Sequence, residues 1–147
     1  MNLHIVKWKE TWELDPLLAS LIRLRRDVFV VEQLCPLEDE PDANDPAALH
    51  VCAVVDGVVI GCARILTKAP SVAKIGRVAV AQKARKSGVG AIVMRTAILY
   101  AKSLGYEQAY LESQTHAIPF YERLGFVAYG PEFDDCNIPH RKMNLEL

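Results

Sequence analysis

At 147 residues, 51% of them hydrophobic and 24% charged, the chain can bury one sizeable core and is too short for two comfortable ones. A formal charge of -1 disfavours nucleic acid or an anionic membrane surface as partners held by net charge. No apolar run reaches the roughly 18–20 residues of a membrane span, and Met1–Glu10 lacks the basic-then-apolar order of a signal peptide, so a cytoplasmic location is expected.

Leu3–Lys9 alternates weakly and reads as a first strand. Asp15-Pro16 marks a helix start, with Leu17, Leu18, Leu21, Leu24 and Val28 following at helical spacing to about Phe29. Three prolines and several acids make Cys35–Pro46 a loop and a plausible rim for a binding site. His50–Val55 and Val58–Lys68 form a hairpin around Asp56-Gly57. Val55 then faces Val58, Cys52 faces Gly61, and Cys62 faces Val51. Val51, Ala53, Val55, Val58 and Ile60 share one face, against Val54, Val59, Ala63 and Ile65 on the other, so cover is needed on both sides. With Cys52 and Cys62 on opposite faces, and Cys35 and Cys136 far from both in sequence, four free thiols and no metal site are expected.

Ala73–Ala81 is a further strand, Val89–Leu104 an amphipathic helix closed by Gly105, and Gln108–Glu112 a short strand. Ile118–Leu124 is a short helix, with final strands over Phe126–Tyr129 and Lys142–Leu147. The order implies a single mixed α/β domain with a largely antiparallel start.

The charge is unevenly distributed. Gly57–Tyr106 carries nine Lys and Arg and no acid, whereas Glu32–Asp45 carries six acids and no base. The basic stretch is suited to a polyanion, the acidic one to a cation. Within the basic stretch, the strand before Gln82 passes through Arg85–Gly90 into the helix beginning near Val89. Helix-start amides, the glycines Gly88 and Gly90, and the cations Arg85 and Lys86 together make a phosphate cradle. The spacing fits neither an ATP loop nor a dinucleotide fingerprint.

Arg85-x-x-Gly88-x-Gly90 resembles the R/Q-x-x-G-x-G/A signature of the GNAT superfamily of N-acetyltransferases, and AIPFYERLGF (Ala117–Phe126) resembles that superfamily's late A-x-x-F-Y-E-x-L-G-F segment. VFVVEQ (Val28–Gln33), the acidic loop after it and NIPHRKM (Asn137–Met143) look most like small bacterial members of the ElaA and YjcF type. The resemblance spans nearly the whole chain. It implies the single-domain GNAT fold, α/β or α+β in class, with a mixed, mostly antiparallel central sheet covered by helices on both faces.

It also implies an acetyl-coenzyme A site. The main chain of Val78, Ala79 and Val80 would pair with the pantetheine arm, and the turn Arg85, Lys86, Ser87, Gly88, Val89, Gly90, with Ala91, would hold the pyrophosphate. Gln114 stands where the family often has an Asn touching the cofactor arm. Tyr121 matches the tyrosine commonly found near the thioester sulfur, where its hydroxyl would protonate the departing thiolate or hydrogen-bond to it, though beside Phe120, Leu124 and Phe126 it also reads as a packed aromatic; the Val78 N–H would polarise the thioester carbonyl. Many relatives carry a glutamate base on the strand before the cradle, but Lys74–Val80 contains no acid. Glu32, Glu112 and His140 are therefore the candidates on the acceptor side, unless the amine arrives neutral. His116 and His140 also read as ordinary hydrogen-bonded residues. The function implied is acetyl transfer to an amine of a small molecule or peptide, by a possible homodimer. The alternative is a non-catalytic acyl-coenzyme A sensor.

Overall fold

The computed structural model describes residues 1–147. Asp15 starts the first helix as its sequence requires, its carboxylate accepting from the N–H groups of Leu17 and Leu18 at 3.0 and 3.1 Å, with Pro16 in the first turn. Helix α1 covers Pro16–Arg25 and then widens into a π-helical stretch, Arg26–Glu32. There the N–H of Gln33 reaches back to Val28 O, five residues away. The helical path thus continues three residues beyond the expected end at Phe29, in a wider coil that apolar spacing does not encode.

Seven strands form one sheet: β1 (Asn2–Lys7), β2 (Leu49–Val55), β3 (Val58–Ala69), β4 (Val72–Val80), β5 (Gln108–Gln114), β6 (Val127–Asp135) and β7 (Ile138–Glu146). Their order is β1-β2-β3-β4-β5-β7-β6, and only β4 and β5 run parallel. Helices α2 (Val89–Ser103) and α3 (Ile118–Glu122) complete the fold. Two cores lie on opposite faces of the sheet. One joins Val93, Met94, Ala97 and Ala101 of α2 to Val51, Ala63, Ile75 and Leu111. The other joins Leu18, Leu21 and Leu24 of α1 to Cys52, Cys62 and Ala79. The mixed, mostly antiparallel sheet with helices on both faces agrees with the expected architecture. No helix is long and apolar enough to cross a membrane.

Two strand expectations need correction. The β2–β3 register begins with Val55 opposite Val58, but an irregularity at Ala53/Val54 leaves Ile60 unpaired. Cys52 therefore faces Cys62, Val51 faces Ala63, and Ala63 and Ile65 join the face of Val51 and Ala53. Cys52 and Cys62 are buried free thiols, as expected, although they share a face. Cys35 and Cys136 are not free: they form a disulfide with Cα atoms 5.6 Å apart across 101 residues of sequence. The final hairpin is also longer than expected. Its turn uses left-handed residues Cys136 (φ 52°) and Asn137 (φ 60°), which lack the Asn-Gly signature of such turns.

Gly61 on β3 lets α2 approach the sheet. A β-carbon there would fall 2.6 Å from Val89 Cγ1 and 3.3 Å from Val93 Cγ2. Valine rotamers are stiff in a helix, so relief requires moving the start of α2. Gly61→Ala should cost about 1–3 kcal/mol in urea unfolding; unchanged stability would show that the helix gives way without strain.

Candidate active site

Strands β4 and β5 pair only where Val72–Lys74 meet Gln108–Tyr110, and beyond this they part. A bulge in β4 lies beside the opening: Arg77 and Val78 together oppose Ala63, and Arg77 takes the left-handed conformation at φ 48°. Beyond the bulge the N–H of Ala81 bonds to Ile60 O of β3 at 2.8 Å. Strand alternation therefore turns the main-chain groups of Val78 and Val80 away from β3, into the gap, and those of Ala79 toward β3.

The gap leads to the turn before α2. Lys86 and Gly88 are both left-handed, at φ 64° and 88°, and no side chain caps the helix. Ile92 makes the first helical bond, to Gly88 O, so the N–H groups of Val89, Gly90 and Ala91 remain available to an anion. A β-carbon at Gly90 would lie 3.4 Å from Val80 and 3.5 Å from Phe120, which marks the contact among α2, β4 and α3. Lys83 and Lys86 are exposed beside the turn, and Ser87 Oγ donates to Ala84 O within it. Arg85 is already engaged: Nε donates to Val80 O at 3.1 Å and Nη2 to both carboxylate oxygens of Glu32 at 2.8 Å. That pair is partly solvated, so exchanging Glu32 for a phosphate costs little.

Tyr121 on α3 is buried edge-on between Phe120 and Phe126, with ring centroids at 5.0 and 6.1 Å. Burial raises its phenol pKa, and the hydroxyl has no hydrogen-bond partner in the chain. It is thus a protonated donor without a fixed acceptor. Gln114, at the end of β5, donates to Gln33 Oε1 at 3.0 Å, and its own Oε1 lies 2.7 Å from His116 Nε2.

A cavity of about 120 Å³ opens between the π-helical stretch and the β6–β7 hairpin tip. Phe29, Gln33, Cys35, Asp39 and Glu40 form one wall; Asp135, Cys136, Ile138 and His140 form the other, with Arg77 and Gln114 between them. The disulfide ties the walls together. Of the acceptor-side candidates, only His140 lines this cavity. Glu32 is bound to Arg85, whereas Glu112 accepts from the Tyr110 hydroxyl at 2.8 Å and lies 3.6 Å from Lys74 Nζ. Cys35, Asp39 and Glu40 come from the Cys35–Pro46 loop read as a rim, whereas Phe29, Gln33 and Cys136 escaped the sequence reading because they meet only after the π-helical stretch and the long hairpin have formed.

The acidic stretch meets Arg25 of α1 and two arginines of the basic stretch. Arg25 bonds to Glu40 at 2.5 Å and to Asp45 at 2.8 and 3.0 Å; Arg64 binds Asp42 and Asp45, and Arg77 binds Asp42 at 3.1 Å. Arg77 Nε is also 2.8 Å from Glu40 Oε1, but is misaligned for a hydrogen bond. The acidic stretch is therefore largely neutralised internally rather than forming an open field for a cation. Burial pushes the Asp45 carboxyl pKa up, but Arg25, the Asp42 N–H and Arg64 outweigh it and hold the value at about 2, below the ordinary 3.8. This contribution is fully present above pH ~4 and is lost as the pH falls toward 2. Native protein should lose about 2 kcal/mol more than Asp45→Asn over that range. Parallel acid-unfolding curves would contradict this assignment.

This geometry defines a class. The sequence model of the Acetyltransferase (GNAT) family matches residues 17–126, and the chain belongs to that family. It is 34% identical over 127 residues to the uncharacterized N-acetyltransferase YjcF of Bacillus subtilis, covering 86% of this chain and 90% of that protein. Its fold is similar to the crystal structure of Escherichia coli ElaA, with a TM-score of 0.87, 29% identity and coverage of 99% and 100%. It is also similar to an acyl-CoA N-acyltransferase from Pseudomonas aeruginosa, with a TM-score of 0.85, 32% identity and 98% of each chain covered.

Proposed function

We propose that the protein transfers acetyl from acetyl-coenzyme A to a primary amine of a small molecule or peptide, without a covalent enzyme intermediate. The observation that supports this reading is the parting of β4 and β5 beyond three paired residues, with the uncapped turn before α2 following β4 and with Arg77 of β4 and Gln114 of β5 lining the cavity. Amides 89–91 and the left-handed turn would hold the pyrophosphate, while Val78 and Val80 offer main-chain bonds to the pantetheine arm. In this reading the Val78 N–H polarises the thioester carbonyl as nitrogen attacks, and Tyr121 gives its proton to the thiolate as the carbon–sulfur bond breaks. A cytoplasmic setting and a homodimer form part of the proposal.

Thiol release from acetyl-coenzyme A, measured across polyamines, amino sugars, amino acids and peptides, tests this function. At least one acceptor should release thiol and yield an equal amount of acetylated product. Tight cofactor binding with no product from any acceptor would instead favour the acyl-coenzyme A sensor.

A further inference from the structure

We infer that His140 is the base that removes the proton from the acceptor's ammonium group; the inference rests on the transferase reading above. His140 stands opposite Gln114 in the β5–β7 ladder, beside the opening, and is only 8% exposed. Its Nδ1 lies 2.7 Å from Ile138 O. A carbonyl oxygen can only accept, so Nδ1 carries the hydrogen and the neutral ring keeps its lone pair on Nε2. Nε2 has no hydrogen-bond partner in the chain. His140 lines the cavity, which gives a ligand a route to the ring. Phe133 stacks on the ring, with a centroid distance of 5.8 Å, and limits its rotation.

The surroundings favour an amine that arrives protonated. Asp39 and Asp135 line the same cavity; Glu40 and Arg77 also line it but are held in the internal network with Arg25 and Asp42, while His116 lies beyond Gln114 and Arg141 and Lys142 follow in β7. An ammonium drawn toward this rim has no nucleophilic lone pair until a proton leaves. His140 Nε2 takes that proton and passes it to water; the neutral nitrogen then forms the carbon–nitrogen bond. Its second proton balances the one delivered to sulfur, so the net products are the amide, free coenzyme A thiol and one released proton.

The test uses an acceptor identified by thiol release and compares the native protein with His140→Gln. The variant should lose about 10²-fold in kcat at neutral pH, with little change in acetyl-coenzyme A affinity, and should lack the acidic limb of the native pH profile. A weakly basic amine, already neutral at the assay pH, should recover most of the loss; a purely structural defect would not depend on acceptor basicity. A second measurement avoids the variant: nitrogen NMR of the native protein should show His140 as the Nδ1–H tautomer. An active protein with the Nε2–H tautomer, an unchanged acidic limb, or equal losses for weak and strong bases would overturn the base assignment alone. Absence of thiol release from every acceptor would remove the transferase reading and, with it, the base role.

Discussion

Arg25→Met should destabilise the protein by about 3–5 kcal/mol, because it leaves two buried carboxylates without their main partner. Arg25 is 1% exposed and is hydrogen-bonded to both Glu40 and Asp45, themselves 1% and 0% exposed. The methionine stem fills much of the space but supplies no donor. Arg64 still meets Asp45 at 3.1 Å, the Asp42 N–H still donates to it and Arg77 still approaches Glu40, so one cation remains for each acid, without the bidentate fork at Asp45. The melting temperature should fall by about 10 °C. Arg25→Met combined with Glu40→Gln and Asp45→Asn should recover part of the loss, since neutral amides are less costly to bury unpaired than carboxylates. A loss below about 1 kcal/mol for the single variant would mean that water already solvates these acids. The network also shapes the proposed acceptor cavity, because Glu40 is part of one wall.

Tyr121→Phe should reduce kcat about 10²-fold while changing acetyl-coenzyme A affinity by less than about twofold. The phenol lies between two aromatic rings and has no intramolecular hydrogen bond, so removing its oxygen leaves the packing intact and strands no partner. The proton donor alone is lost. Parallel losses in kcat and binding would make the hydroxyl an anchor for the cofactor, and unchanged turnover would reject its role as acid.

Much of the fold is legible in linear patterns. The Asp15 cap, the helical spacing of α1 and α2, the Asp56-Gly57 turn and the glycines before α2 are local signals that chain neighbours can satisfy. The phosphate-type cradle is legible for the same reason, because it lies within six consecutive residues. The proposed acceptor side is not local. It requires the widened coil at Arg26–Glu32, the bulge at Arg77, the left-handed pair Cys136-Asn137 and a disulfide spanning 101 residues. None has a periodic signature. The bulge at Ile60 shows the same limit at smaller scale: one unpaired residue moved Ala63 and Ile65 to the opposite face from the one read by alternation. Charge counting failed for a related reason. The acidic stretch folds against Arg64 and Arg77 of the basic stretch and against Arg25 of α1, so their sum rather than their separation in sequence governs the local field.

The most direct test is a crystal structure with acetyl-coenzyme A bound to the full chain. Its pyrophosphate should lie on the amides of the Arg85–Ala91 segment, its pantetheine arm against Val78 and Val80 in the β4–β5 gap, and its sulfur within hydrogen-bonding distance of the Tyr121 hydroxyl. A cofactor bound outside that gap, or a thioester remote from both Tyr121 and the cavity lined by His140, would contradict acyl transfer at this site.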